Sequence, residues 1–246
     1  MRLKNVVTGC VAILVLVAAL QIREIAGFLG LTLPRIPMPY GGSSVDNLAS
    51  VLLVVVAALV LARKSRWSLG KNLGLLSIGW RAPAVTLLAT APCWIGLAVQ
   101  GHLATDFTAR ELLFTALIFP LAEEITFRGF GFVFTRRQLG WPLAAAVLVQ
   151  AVVFGFVHWL GAGSGTGMAL QIFAMTFLGA VVFALLDAMD GYTIWSGLAF
   201  HISLNAAWTV FTVPGAAVFD WSGNALRLAS AAIALALVAV FRRRTR

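Results

Sequence analysis

Long apolar runs separated by short polar segments dominate the chain. The runs lie near residues 6–20, 46–62, 82–100, 108–135, 142–160, 167–186, 191–212 and 223–241. Their lengths approach or exceed the ~20 residues that a helix needs to cross a bilayer. The pattern therefore predicts an all-α fold, a polytopic transmembrane bundle of about eight spanning helices. Pro92 and Pro120 fall inside runs, where we expect kinks.

Composition supports the same class. With 61% hydrophobic and 11% charged residues, a chain of 246 residues cannot cover its surface with polar groups. The connections between runs are too short for a separate soluble domain, so residues 1–246 are predicted to form a single transmembrane domain. The net charge of +9 lies at segment ends rather than on one helix face, which favours contact with the lipid bilayer over binding of nucleic acid.

The positive charges also predict the orientation. With eight spans and a cytoplasmic N-terminus, most of the 18 Lys and Arg residues fall on the inner side of the membrane, and four fall outside, namely Arg23, Arg35, Arg110 and Arg227. Cytoplasmic segments of membrane proteins carry the excess of Lys and Arg. We therefore expect both termini to be cytoplasmic, in a bacterial cytoplasmic membrane.

Glu123 and Glu124 are adjacent acidic residues in the middle of the fourth apolar run, and they head the pattern Glu-Glu-x-x-x-Arg that ends at Arg128. A charge in hydrocarbon costs several kcal/mol, so such residues usually serve chemistry, transport or a buried ion pair. Glu124 and Arg128 are four residues apart and share a helix face, which favours a supporting ion pair. Glu123 points about 100° away and is the freer carboxylate.

Two further polar pairs have the same helical spacing. Phe154 and His158 lie on the fifth run, and His201 and Asn205 on the seventh. At ~1.5 Å rise per residue, Glu123, His158, His201 and Asn205 all lie roughly 17–25 Å along their helices from ends on one side of the membrane. A similar depth permits a single buried site, for which Phe154 is predicted to be a packing residue.

These residue types suit hydrolysis without a covalent nucleophile. The chain has no His-Glu-x-x-His, no Gly-x-Ser-x-Gly and no Gly-x-Gly-Asp pattern. A glutamate and a histidine can activate water, and histidine and asparagine can donate hydrogen bonds to a developing oxyanion. The combination is sufficient for amide hydrolysis.

The three motifs, in this order on successive membrane helices, resemble those of the CAAX prenyl endopeptidase and bacteriocin-processing (CPBP, or Abi) family of intramembrane proteases. The resemblance covers roughly residues 108–212, and it implies an intramembrane endopeptidase acting on a membrane-associated peptide or protein. It implies that Glu123 and His158 activate water and that His201 and Asn205 stabilise the oxyanion. Glu124 and Arg128 then support the site.

The predicted site residues include types that can bind a metal. Glu123, His158 and His201 are the three residues that would bind zinc if the protein depends on a metal. That use would remove the base and one oxyanion donor together, so we predict a hydrolase without a metal or other cofactor.

Two other classes of function fit a polytopic bundle. A transporter or proton relay would use Glu123, His158 and His201, but polar groups should then extend from one membrane face to the other. A catalytically silent scaffold would tolerate replacement of Glu123.

Asp187 and Asp190 fall at a predicted helix end, where we expect them to be solvated.

Overall fold

A computed structural model describes residues 3–62, 65, 67–213 and 221–244, with the backbone alone for residues 3–6, 243 and 244. The helices before the first strand are α1 (Leu3–Leu20), α2 (Ile22–Phe28), α3 (Gly41–Leu61), α4 (Leu69–Asn72), α5 (Arg81–Leu88) and α6 (Ala91–Gln100). The remaining helices are α7 (Ala109–Leu112), α8 (Phe119–Glu123), α9 (Thr135–Arg137), α10 (Leu143–Gly161), α11 (Gly167–Met189), α12 (Trp195–Val210) and α13 (Trp221–Arg244). Two short strands, β1 (His102–Leu103) and β2 (Phe211–Thr212), pair antiparallel.

The all-α polytopic bundle is confirmed, whereas the count of eight spans is not. Five stretches in the described part of the chain are long and apolar enough to cross a membrane, namely α3, α5 with α6, α10, α11 and α13. The pair α1 and α2 would add a sixth, although it is bent by 89°. Trp195–Val210 has only 16 residues, short of the ~20 that a full crossing needs. Among the charges used to predict orientation, these lie outside the described residues: Arg2, Arg63, Lys64, Arg66 and Arg246.

Residues 109–137 form one helical rod in which α-helical and π-helical turns alternate. The first π segment is Leu113–Ile118 and the second is Glu124–Phe134. The predicted interruption at Pro120 lies in the α-helical turn between them. Pro92 lies in the first turn of α6, just after α5 ends at Leu88. Each proline therefore stands at a change of helix geometry, as expected from its missing N–H donor.

Close packing and polar contacts hold the bundle together, because lipid tails are as apolar as the side chains that the helices bury. Gly155 of α10 lies directly against Phe173 of α11: a Cβ atom there would lie 3.1 Å from the Phe173 carbonyl oxygen. On the same pair of helices, Gln150 Nε2 donates to the Ala180 carbonyl at 3.1 Å. The small residue lets α10 and α11 approach, and α11 in turn packs against α12 and α13.

The second π segment forms the centre of the core. Its aromatic residues Phe127, Phe130 and Phe134 are buried together with Leu16 of α1 and Val54 of α3. The rings of Phe130 and Phe134 stack at 5.1 Å. The part of the rod that begins at Glu124 is consequently enclosed by other helices.

We predict that Gly155→Leu destabilises the protein by ~1–3 kcal/mol, because the larger side chain forces α10 away from α11. Thermal unfolding in detergent would measure the change. Gly161→Leu is the matched control, since a Cβ at Gly161 meets nothing within 4 Å. Equal unfolding temperatures for the two variants would contradict this account of the packing.

Candidate active site

A buried ion pair lies at the bottom of the site. Arg128 Nε is 3.4 Å from Glu124 Oε2, and neither side chain is exposed to solvent. The two residues occupy neighbouring turns of the second π segment. The guanidinium carbon of Arg128 lies 4.7 Å from the ring centres of both Phe154 and Phe183. These rings attract the cation through their π faces, so Arg128 joins its own helix to α10 and α11.

His201 of α12 connects the two glutamates. Its Nδ1 is 3.0 Å from Glu124 Oε1, and its Nε2 is 3.9 Å from Glu123 Oε2. The Glu124 side chain is fully buried, whereas that of Glu123 is 30% exposed. The difference in exposure separates their roles: Glu124 orients the histidine, and Glu123 is open to water.

His158 presents an acceptor to the site. Its Nδ1 lies 2.8 Å from the carbonyl oxygen of Phe154, one turn earlier on α10. A carbonyl oxygen only accepts hydrogen bonds, so Nδ1 carries the proton and the neutral ring keeps a lone pair on Nε2. The Phe154 ring also packs against the imidazole at 4.3 Å. Phe154 therefore fixes both the tautomer of His158 and the position of its ring.

Asn205 bridges two helices. Its Nδ2 donates to the Thr115 carbonyl at 3.0 Å. In a π-helical turn this carbonyl would accept from residue 120, which is a proline and has no N–H. The Phe119 N–H, which an α-helical turn would direct to the Thr115 carbonyl, donates to the Phe114 carbonyl. If this turn were α-helical, Pro120 would leave the carbonyl of Ala116 without a donor, rather than that of Thr115. One N–H of the amide group is thus used, and the second remains for another acceptor.

Two cavities meet at the predicted residues. The apolar cavity, of about 380 Å³, is lined by Glu123, His158, His201 and Asn205 together with side chains of α11, α12 and α13. The polar cavity, of about 410 Å³, is lined by Glu123 and His158 and by polar side chains near the ends of α2 and α3. Phe154 also lines both cavities. Glu123 and His158 therefore stand where the two cavities adjoin.

The expectation that Asp187 and Asp190 are solvated is wrong, because both are buried, with 0% and 5% of their surface exposed. Asp190 Oδ2 accepts from Thr193 Oγ1 at 2.7 Å, and burial raises the pKa of Asp190 above its ordinary value. Asp187 Oδ1 accepts from the backbone N–H of Gly197 at 2.7 Å. The prediction assumed that the end of a helix is exposed, but α12 begins directly against these carboxyl groups and buries them.

The described residues do not fit a zinc site. Among them, no group of three His, Cys, Asp or Glu side chains is arranged to hold a metal ion. Zinc needs its ligand atoms about 2.0–2.3 Å from one point, and because Nδ1 of each histidine is bonded, to Glu124 or to a backbone carbonyl, only Nε2 of each ring could be such an atom. The set Glu123, His158 and His201 therefore does not form a preorganised ligand cluster.

Comparison with known proteins identifies the same part of the chain. Residues 105–207 match the family model described as type II CAAX prenyl endopeptidase, Rce1-like. This segment contains all seven residues of the three motifs, which confirms the family predicted from them. A comparison with curated proteins gives no match.

We predict that Glu124→Gln lowers the free energy of unfolding by ~3–5 kcal/mol, because it leaves the Arg128 cation buried without a counter-charge. Denaturation in detergent would measure this loss. Glu111→Gln is the control, since Glu111 lies at the half-exposed start of the same rod. Unchanged stability of Glu124→Gln would show that the ion pair does not support the fold.

Proposed function

We propose that residues 105–207, which match the Rce1-like family model of type II CAAX prenyl endopeptidases, form the core of an intramembrane endopeptidase that uses water activated by Glu123 and His158. The observation that carries the proposal is the grouping of four side chains around one cavity: Glu123, His158, His201 and Asn205. A base, a second acceptor and two donors around one space are the groups that amide hydrolysis requires.

In the proposed first step, a water molecule lies between Glu123 and His158. Glu123 is the exposed member of the acidic pair, and His158 Nε2 accepts the second hydrogen of the same water. Glu123 removes one proton as the oxygen attacks the carbonyl carbon of the peptide. The C–O bond forms, and the carbonyl π electrons move to the oxygen, which becomes an oxyanion.

His201 and Asn205 are proposed to stabilise that oxyanion. This role uses the imidazolium form of His201, in which Nδ1–H donates to Glu124 at 3.0 Å and Nε2–H donates into the cavity. The second N–H of the Asn205 amide adds another donor. Loss of one such donor typically costs ~10²–10³ in turnover.

The tetrahedral intermediate then collapses. Glu123 returns its proton to the amide nitrogen, the C–N bond breaks, and the products are a carboxylic acid and an amine. Glu123 ends the cycle as a carboxylate, so no other reactant is consumed. The proposed reaction needs only water and the peptide.

The two cavities suggest how each reactant reaches the site. Met175, Leu178 and Val182 of α11 line the apolar cavity and suit the membrane-embedded part of a substrate. Arg23 and Asp46, which pair at 2.7 Å, line the polar cavity and suit the passage of water. We propose a membrane-associated peptide or protein as the substrate, in a bacterial cytoplasmic membrane with both termini cytoplasmic.

We expect Glu123→Gln to lower turnover by at least ~100-fold while the protein still folds, because the amide keeps the shape but cannot accept the proton. Comparative peptidomics of membranes from cells that make the wild type or the variant would measure the loss and name the substrate. Glu111→Gln should behave as wild type. Identical peptide profiles for the wild type and Glu123→Gln would exclude the proposal and favour a scaffold.

We further predict that the purified active protein contains far less than one zinc ion per chain and stays active with a chelator, since Glu123 acts as the base. Elemental analysis coupled to the activity assay would check both points. Stoichiometric zinc, with activity lost on chelation and restored by zinc, would overturn this part of the mechanism.

A further inference from the structure

The C-terminal end of α11 contacts the beginning of the helix that carries His201. Asp187 is fully buried, and its Oδ1 accepts from the Gly197 backbone N–H at 2.7 Å. Gly197 lies in the first turn of α12, where backbone N–H groups have no partner within the helix. No side chain caps α12 at Ile194; instead Asp187 accepts from Gly197 N–H and Asp190 from the backbone N–H of Ser196.

The fit between Asp187 and α12 is close. A Cβ atom on Gly197 would lie 2.9 Å from Oδ1 and 3.0 Å from Oδ2 of Asp187, closer than a side-chain carbon can approach. The carboxyl group therefore lies directly on the backbone of α12. Gly197 is four residues before His201, so this contact sets the height of the histidine along the helix axis.

A second contact between the same helices lies one turn away. Phe183, four residues before Asp187 on α11, packs its ring against His201 at 4.9 Å and against the Arg128 guanidinium at 4.7 Å. The Asp187 side chain is also close enough to interact electrostatically with Glu124 and Arg128. α11 therefore contacts α12 both beside His201 and one turn before it.

We propose that Asp187 is a positioning residue for the reaction, whose hydrogen bond to Gly197 N–H holds His201 in register with Glu123 and Glu124. The expected effect on turnover rests on the proposed hydrolysis, whereas the anchoring of α12 by Asp187 does not. A displacement of about 1 Å at a catalytic group can cost ~100-fold in rate, and a 2.7 Å hydrogen bond at the start of α12 resists such a displacement.

Two substitutions separate the hydrogen bond from the bulk of the side chain. Asp187→Asn keeps an oxygen that accepts from Gly197 N–H, whereas Asp187→Ala removes it. Gln150→Ala is the control: it deletes another fully buried polar side chain, whose amide donates to the Val147 and Ala180 carbonyls. Amide hydrogen exchange of residues 195–201, measured by mass spectrometry on the full chain in detergent, reports the anchoring without an activity assay.

We expect Asp187→Ala to raise exchange of this segment by about tenfold, and Asp187→Asn and Gln150→Ala to leave it near the wild-type rate. On a quenched peptide that contains the cleavage site found by peptidomics, Asp187→Ala should lower kcat by at least about tenfold with KM within about threefold. Asp187→Asn should restore most of kcat. Gly197→Ala should also lower kcat, but in the Asp187→Ala background it should lower kcat no further, because the carboxyl group that it would clash with is gone.

Unchanged exchange in Asp187→Ala, or an Asp187→Asn variant as impaired as Asp187→Ala, would overturn the inference. So would raised exchange with unchanged kcat, because the anchor would then be structural only. Glu123→Gln is assayed beside these variants. If it retains full activity while exchange behaves as expected, the proposed function fails and the anchoring of α12 stands.

Discussion

The burial of Arg128 with Glu124 is the constraint on which the rest of the site depends. Neither side chain reaches solvent, and an uncompensated charge at this depth would cost several kcal/mol. The pair therefore requires that the surrounding helices close over it. Phe154 and Phe183 supply the rings on two of these helices, and His201 supplies a polar partner on a third. One ion pair thus determines how α10, α11 and α12 meet around the glutamates.

Hydrolysis inside a membrane needs both water and a peptide, and hydrocarbon excludes the first. The proposed function meets this need through two cavities of different character that adjoin at Glu123 and His158. The bulk of the apolar cavity faces α11, α12 and α13, and the polar cavity faces α2 and α3. Gly161 lines the polar cavity, whereas Pro120 is buried. Pro120 affects the site in another way: because it has no N–H, the Thr115 carbonyl accepts from Asn205 instead.

Local periodicity was sufficient to predict the helices and the residues that share a face. The spacing of four in each motif correctly paired Glu124 with Arg128, and it also placed Phe154 beside His158. Periodicity could not predict contacts that depend on how one helix begins against another. The burial of Asp187 depends on α12 starting beside it, and neither segment carries a local signal for that arrangement. The π-helical turns were equally invisible in the sequence: α-helical geometry at Pro120 would free the carbonyl of Ala116, whereas Asn205 bonds to that of Thr115.

The proposed function requires that water reach carboxylates enclosed within the bundle. A thiol-accessibility experiment tests it on a background without Cys10 and Cys93, with single cysteines at Val157 beside the polar cavity and Leu204 beside the apolar one. Buried Ala180 and exposed Ser43 serve as the unreactive and reactive controls. We predict that a membrane-impermeant thiol reagent labels Val157→Cys and Leu204→Cys, as it labels Ser43→Cys, and leaves Ala180→Cys unmodified. If Val157→Cys and Leu204→Cys were as unreactive as Ala180→Cys, the core would be sealed and the protein could not hydrolyse a peptide there.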